Sequence, residues 1–199
     1  LSRGLGDVYK RQDRMVELNK TIQWKPEATG TGRFGNWLEN LVDWNLSRSR
    51  FWGTPLPIWR TSDGTEEKCI GSIAELQTEI DKSVAAGLMT ASPYAGKELD
   101  LHRPYVDEVI LISNTGQKMF READLIDVWF DSGAMPYAQW HYPFENQDIF
   151  AANFPADYIA EGVDQTRGWF FTLHALSVML FDSVAFKNVI ANGLVLDKN

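Results

Sequence analysis

Apolar residues along this chain change their spacing several times, and each change marks an element. Tyr158-Ile159-Ala160 form a short apolar run that breaks at Glu161-Gly162, with Asp164 and Gln165 close behind. Trp169, Leu173, Leu176 and Leu180 then recur at helical spacing, and Val189-Ile190-Ala191 form a second apolar run closed by Asn192-Gly193. Strand, turn, helix, strand makes a β-α-β unit whose crossover is long enough to join parallel strands. Nearer the start, Ile22-Gln23-Trp24 before Lys25-Pro26 predicts a short strand and turn, and Thr29-Gly30-Thr31-Gly32 a loop. Phe34, Trp37, Leu38, Leu41 and Trp44 predict a helix with an aromatic-rich face, so Trp24, Trp37 and Trp44 are expected in the core or at a domain junction.

From Arg60 to Asp124 the character differs. Ser72-Ile73-Ala74-Glu75 is a capping-box pattern, and Ile73, Leu76, Ile80 and Val84 make a helical stripe. His102-Arg103-Pro104 leads to a β-rich run over 106–113, a turn at Asn114-Thr115-Gly116 and a return strand through Met119-Phe120. This region reads as an inserted α+β subdomain. The stretch from Tyr142 to Pro155 reads as loop with local turns, and a further strand is expected after Gly193. Residues 1–12 fit no strong helix pattern and are expected to be a non-native or disordered tail.

Size and composition permit a globular core: 199 residues, 44% hydrophobic. The formal net charge of -8 argues against this segment being the main docking surface for a polyanion, because phosphate contacts call for Lys and Arg. Cys69 is the single cysteine, which excludes an intrachain disulfide and a thiolate cluster for zinc. No apolar run approaches the roughly 20 residues that span a bilayer, and no signal-peptide pattern opens the chain. A cytoplasmic protein is the simplest expectation.

Chemistry is expected where the first strand of the β-α-β unit ends, since ligands of such sheets sit outside the carboxyl ends of the strands. Glu161, Gly162, Asp164 and Gln165 all fall there. On spacing alone, an ordinary turn glycine and a helix-capping Asp164 explain the pattern equally well. Asp127-Val128-Trp129-Phe130-Asp131-Ser132-Gly133 reads likewise as a strand end with a cap, and Arg48 and Arg50 as a solvated pair before a loop.

Longer motifs decide between these readings. Glu-Gly-x-Asp-Gln-x-Arg-Gly-Trp-Phe, from Glu161 to Phe170, closely resembles the ligand-binding turn of the isoleucyl-tRNA synthetase family, class I aminoacyl-tRNA synthetases. The sister families for valine and leucine differ at Gln165 and at Arg167-Gly168-Trp169-Phe170. Asp-x-Trp-Phe-Asp-Ser-Gly, from Asp127 to Gly133, resembles a second motif of the same family, and Ser-Arg-x-aromatic-Trp-Gly-x-Pro-x-Pro, from Ser47 to Pro57, its return from the editing insertion. The resemblance runs from Asp13 to Asn199.

The resemblance implies the second half of a Rossmann-type parallel sheet carrying a connective insertion. Residues 13–60 would be the return into the catalytic core, 61–124 the insertion and 125–199 the second half of the catalytic domain. It also implies ATP-dependent activation of L-isoleucine to isoleucyl-adenylate and transfer to tRNA(Ile), with ATP and Mg2+ entering as the substrate complex. Glu161 and Asp164 would bind ribose hydroxyls or the ammonium group, Gln165 would reach the aminoacyl moiety, and Gly162 would permit close approach. Trp129 and Trp169 would wall the aliphatic side chain, for which aromatic carbon is the fitting surface. Asn192 and Gly193 would lie on the adenine side, although many members carry His where Asn192 stands. Arg48 and Arg50 would be structural or face the tRNA end. Some members hold zinc in the hairpin corresponding to Ile112–Thr115, where this chain has no thiolate, and His102 reads as a turn or surface histidine. Neither His-Ile-Gly-His nor Lys-Met-Ser-Lys-Ser occurs in the sequence, so this segment alone is expected to show little ATP-pyrophosphate exchange. The competing readings are valyl-tRNA synthetase, a non-catalytic adenylate-binding module and, from eight Trp and the acidic balance, a glycoside hydrolase.

Overall fold

A computed structural model describes residues 6–194 and 197. The chain forms two compact units: Leu1–Asn45 together with Trp129–Asn199, and Leu46–Val128. In chain order the first stretch contains helix α1 (Gly6–Asn19), strand β1 (Gln23–Lys25), a π-helical segment (Thr29–Phe34) and helix α2 (Gly35–Glu39). The inner unit contributes β2 (Ser47–Arg48), β3 (Ile58–Thr61), β4 (Glu67–Cys69), α3 (Ile73–Ala85), a 3-10 turn (Tyr105–Glu108), β5 (Leu111–Ile112), β6 (Lys118–Arg121) and β7 (Leu125–Ile126). The chain closes with α4 (Val128–Gly133), α5 (Met135–Ala138), α6 (Gln147–Asn153), β8 (Ala156–Gly162), a 3-10 turn (Val163–Arg167), α7 (Trp169–Phe181) and β9 (Phe186–Asn192).

The outer unit is built on a parallel sheet of order β1-β9-β8. The β-α-β unit and the early strand therefore form as the apolar pattern predicts, with β9 between them. Helix α7 is apolar nearly all round because it is enclosed: Phe170, Leu173, Ala175 and Val178 join Met15, Trp24, Phe34, Leu38, Phe186 and Val189 in one core. Leu180, placed in the same stripe by spacing, is exposed.

Four expectations fail in this unit for identifiable reasons. The loop read over 29–32 is helical. Gly30 lies under the Trp24 indole, where a Cβ would stand 2.2 Å from the ring, and Asn19 links the two by accepting from Trp24 Nε1 (2.9 Å) and donating to Gly30 O (3.0 Å). Packing overrides weak propensity there. The helix read through Trp44 stops at Glu39, and Gln12 Nε2 donates to the carbonyls of Leu38 (2.9 Å) and Glu39 (2.8 Å) at its end. Those bonds also correct the tail: helix α1 begins at Gly6, and Arg14 forks onto Asp182 (2.9 and 3.0 Å). The loop read from Tyr142 to Pro155 contains α6, held by Phe150 stacking near Tyr142, Phe154 and Phe181. The strand expected beyond Gly193 falls largely outside the described residues.

The inner unit has an antiparallel sheet of order β4-β3-β6-β5 covering its own core of Trp59, Ile70, Leu76, Ile80, Val109, Leu111 and Met119. It begins at Leu46 rather than at 61, because β3 is an interior strand of this sheet and β2 pairs with β7. Ser72 caps α3 by accepting from Glu75 N (3.1 Å), and Glu75 reaches back to Gly71 N (2.7 Å). Ile73 lies off the buried stripe. Of the β-rich run over 106–113, only Leu111–Ile112 is strand. The start is a 3-10 turn whose Asp107 is taken by Arg103 (2.8 Å) and by the buried Arg121 (2.6 Å). Desolvation pushes the Asp107 carboxyl up, and the two guanidinium groups outweigh it, holding it below its ordinary range.

Candidate functional site

Strands β8 and β9 run parallel with Gly162 opposite Asn192. Their carboxyl ends therefore release Glu161-Gly162 and Asn192-Gly193 side by side, at the place where open parallel sheets bind ligands. The 3-10 turn carries Asp164 and Gln165 directly onward into α7. Glu161, Asp164 and Asn192 are exposed, and Gln165 is half-buried.

Gly162 has ordinary extended angles, φ -64 and ψ 153, so no backbone strain demands a glycine. Space does: a Cβ would stand 2.4 Å from Asp164 Oδ1, because the carboxylate folds back over Gly162. Asp164 is not the cap of α7. The N-cap position is Gly168, and the first N–H of the helix is satisfied from the turn: Gln165 Oε1 accepts from Trp169 N (2.9 Å) while Gln165 Nε2 donates to Asp164 Oδ2 (3.1 Å). Gly168 admits this geometry, since a Cβ there would lie 2.7 Å from Gln165 Oε1. Through Gln165, the Asp164 carboxylate is linked to the positive end of the α7 dipole.

The second motif is a helix, not a strand end. Asp127, 3% exposed, precedes α4 and takes Arg48 Nη2 at 2.5 Å, which gives Arg48 a structural task within the inner unit. Arg50 is exposed. Helix α4 lies close on α7: a Cβ on Gly133 would be 3.0 Å from Thr172 and Leu176. Trp169 Nε1 donates to Ser132 O (3.0 Å). Trp129, 43% exposed, brings its ring to Gly168, 3.6 Å from a Cβ built there.

Both indoles thus adjoin Gly168, yet they line different concavities. Trp169 lines one of about 260 Å³ with Met135, Trp140, Phe154, Tyr158 and Phe186. Trp129 lines another of about 200 Å³ with Trp37, Trp44, Arg167, Gly168 and Phe171, where Arg167 sits over the Trp37 ring at 5.1 Å. Glu161, Gly162, Asp164 and Gln165 line neither. The single aromatic-walled pocket expected from the motifs is divided, because the bond to Ser132 commits the Trp169 ring to the β8 side.

Thr166 escaped the sequence reading. It is fully buried in the turn, donates to Val163 O (2.8 Å) and accepts from Arg33 Nε (2.9 Å). Nothing in spacing could join residues 133 apart in the chain.

In the inner unit a concavity of about 720 Å³ is lined by Tyr94, Lys97, Glu98, Asp100, His102 and Tyr105. His102 is exposed, as expected of a surface histidine, stacks on Trp52 at 5.2 Å and pairs with Asp100 (2.8 Å). The His102 backbone N–H, then its ring, hold the Asp100 carboxyl below its ordinary range. Among the described residues no group of three or more His, Cys, Asp or Glu could hold a metal ion, and no helix is long and apolar enough to cross a membrane.

Comparison with known proteins adds to this geometry. The family model described as tRNA synthetases class I (I, L, M and V) matches residues 7–199. A protein of Cytophaga hutchinsonii named isoleucine–tRNA ligase is 75% identical over 189 residues, 95% of this chain and 17% of its own length. Those of the same name from Bacteroides fragilis and Thermus thermophilus are 67% and 51% identical, over 94% of this chain and 18% and 17% of their lengths. The chain thus spans about a sixth of these relatives. A crystal structure of the ternary complex of Agrobacterium radiobacter K84 LeuRS with tRNA and LeuAMS shares the fold, with a TM-score of 0.52 at 20% identity, over 79% of this chain and 20% of that one. A parallel sheet ending in the Glu161–Trp169 turn, with a family match beginning one residue after the start of α1, shows that this chain belongs to the class I tRNA synthetases (I, L, M and V).

Proposed function

We propose that this chain is a segment of an isoleucine–tRNA ligase and supplies the amino-acid- and adenylate-binding half of its catalytic site. The observation that carries this reading is the register of β8 and β9, which sets the Glu161–Gln165 turn beside Asn192-Gly193 at one end of a parallel sheet. High identity to relatives named isoleucine–tRNA ligase supports the choice of amino acid over valine.

In this reading Glu161 and Asp164 accept hydrogen bonds from ribose hydroxyls or the substrate ammonium, and Gln165, already bonded to Asp164, orients the aminoacyl group. Gly162 leaves room for close approach, and Asn192 and Gly193 border the adenine. Trp129 or Trp169, which line separate concavities, offers aromatic carbon to an aliphatic side chain. One methylene separates isoleucine from valine, about 0.8 kcal/mol, so such a surface discriminates modestly. Attack of the amino-acid carboxylate on the α-phosphate of Mg2+-bound ATP needs placement and charge stabilisation rather than a protein nucleophile. Leu46–Val128 is the connective insertion, no zinc belongs to this segment, and tRNA(Ile) engages the full-length enzyme in the cytoplasm.

The test is isoleucine-dependent ATP-pyrophosphate exchange by the full-length protein. Glu161→Gln and Asp164→Asn should each lower kcat/KM at least about tenfold, the worth of a hydrogen bond to a charged group, without moving the unfolding midpoint. Unchanged exchange in both variants, or a wild type that prefers valine, would overturn the reading.

A further inference from the structure

We propose that Arg33 and Thr166 form a positioning pair that fixes the turn carrying Asp164 and Gln165. The inference rests on the adenylate-site reading above and adds to it two residues that touch no substrate.

Within the turn Val163–Arg167, Asp164 and Arg167 are exposed, Val163 and Gln165 are half-buried, and only Thr166 is fully buried. A five-residue 3-10 turn has few bonds of its own, so its placement depends on what anchors it from outside. The Thr166 hydroxyl provides two links at once. It donates to Val163 O at 2.8 Å, closing the turn, and accepts from Arg33 Nε at 2.9 Å, tying the turn to the π-helical segment. That segment is itself held rigidly. Trp24 lies on Gly30, Asn19 bridges Trp24 and Gly30, and Phe34 is completely buried beside Trp24 with ring centroids 5.0 Å apart. A continuous line of contacts therefore runs from β1 through Asn19, the π-helical segment and Arg33 to Thr166, and so to the carboxylate two residues away. Arg33 is a cation whose Nε hydrogen bond is charge-assisted, and the hydroxyl's single proton is used inside the turn, so the pair acts as one unit.

The experiment uses the full-length enzyme with Arg33→Leu, Thr166→Val, the double variant and Thr166→Ser, in isoleucine-dependent ATP-pyrophosphate exchange and thermal unfolding. Each single loss should raise the KM for isoleucine about tenfold, in keeping with a charge-assisted hydrogen bond, while the unfolding midpoint stays close to wild type. The double variant should be no worse than Thr166→Val alone, since that change already removes the bond to Arg33, and Thr166→Ser, which keeps the hydroxyl, should restore the wild-type KM. Additive losses in the double variant, or Thr166→Ser as impaired as Thr166→Val, would overturn the pairing. So would a fall in unfolding midpoint that tracks the loss of activity. Glu161→Gln in the same assay separates the two levels: if it is silent the site reading fails, and if it is impaired while both Arg33→Leu and Thr166→Val are silent, only the pairing fails.

Discussion

Gly162 illustrates how a residue type can be right for a reason that spacing does not reveal. Its angles would suit any amino acid, but the Asp164 carboxylate occupies the space of a side chain. Gly162→Ala should therefore leave folding nearly untouched, because the obstructing atom ends a flexible side chain, yet displace Asp164. The expected outcome is a rise of about tenfold in the KM for isoleucine in exchange assays on the full-length enzyme, with an unchanged unfolding midpoint. A normal KM would mean that the position of Asp164 does not matter. The motif residues were legible because several uncommon types recur at fixed intervals from Glu161 to Phe170. Thr166 and Arg33 were not: a threonine in a turn carries no sign of a partner 133 residues away.

At the level of elements, the long periodic ones were legible and the short ones were decided by packing. Helix α7 and strands β8 and β9 follow directly from the sequence, although α7 is buried nearly all round and Leu180 of the expected stripe is exposed. The π-helical segment does not, since Gly30 is helical only because an indole lies against it. The group that satisfies the first N–H of α7 also depends on geometry: it is Gln165 Oε1, whereas spacing alone left Asp164 open as a cap.

Helix α7 makes one pH-dependent contribution. His174 is wholly buried against α1, its Nε2 2.9 Å from Met15 O and its ring edge-on to Phe34, and burial lowers its pKa from 6.5 to about 4. With Met15 O an acceptor, the neutral ring donates from Nε2. Above pH 6.5 the group is neutral in both folded and unfolded chains and has no effect. Below 6.5 the unfolded chain binds a proton that the fold excludes, so stability falls as pH drops toward 4, by an amount on the order of 3 kcal/mol, and then levels off. Carboxylates held below their ordinary range, such as Asp182, begin to lose stability only beneath about pH 4, their unfolded value. Urea unfolding of the chain between pH 6.5 and 5 should thus weaken measurably with acidification, and His174→Leu should flatten that slope. An equal slope in both proteins would contradict this assignment.

At the scale of the molecule, Leu1–Asn45 and Trp129–Asn199 make up one unit, and Leu46–Val128, which lies between them in sequence, makes up the other. An inserted subdomain was legible from the change in pattern, but its edges were not. The resemblance places residues 13–60 in the catalytic core, whereas β2 pairs with β7 and β3 with β4 and β6, which puts both strands in the inner unit. Family membership was legible from three motifs. The shared pocket inferred from two of them was not delivered as drawn, since the indoles meet at Gly168 while facing different concavities. The acidic turn at the end of β8 is where the account stands or falls. Its most direct test is a crystal structure of the full-length protein with a non-hydrolysable isoleucyl-adenylate analogue. The account predicts the analogue's polar groups within hydrogen-bond distance of Glu161, Asp164 and Gln165 and its aliphatic side chain against Trp129 or Trp169. An analogue bound with none of those five residues in contact would contradict it.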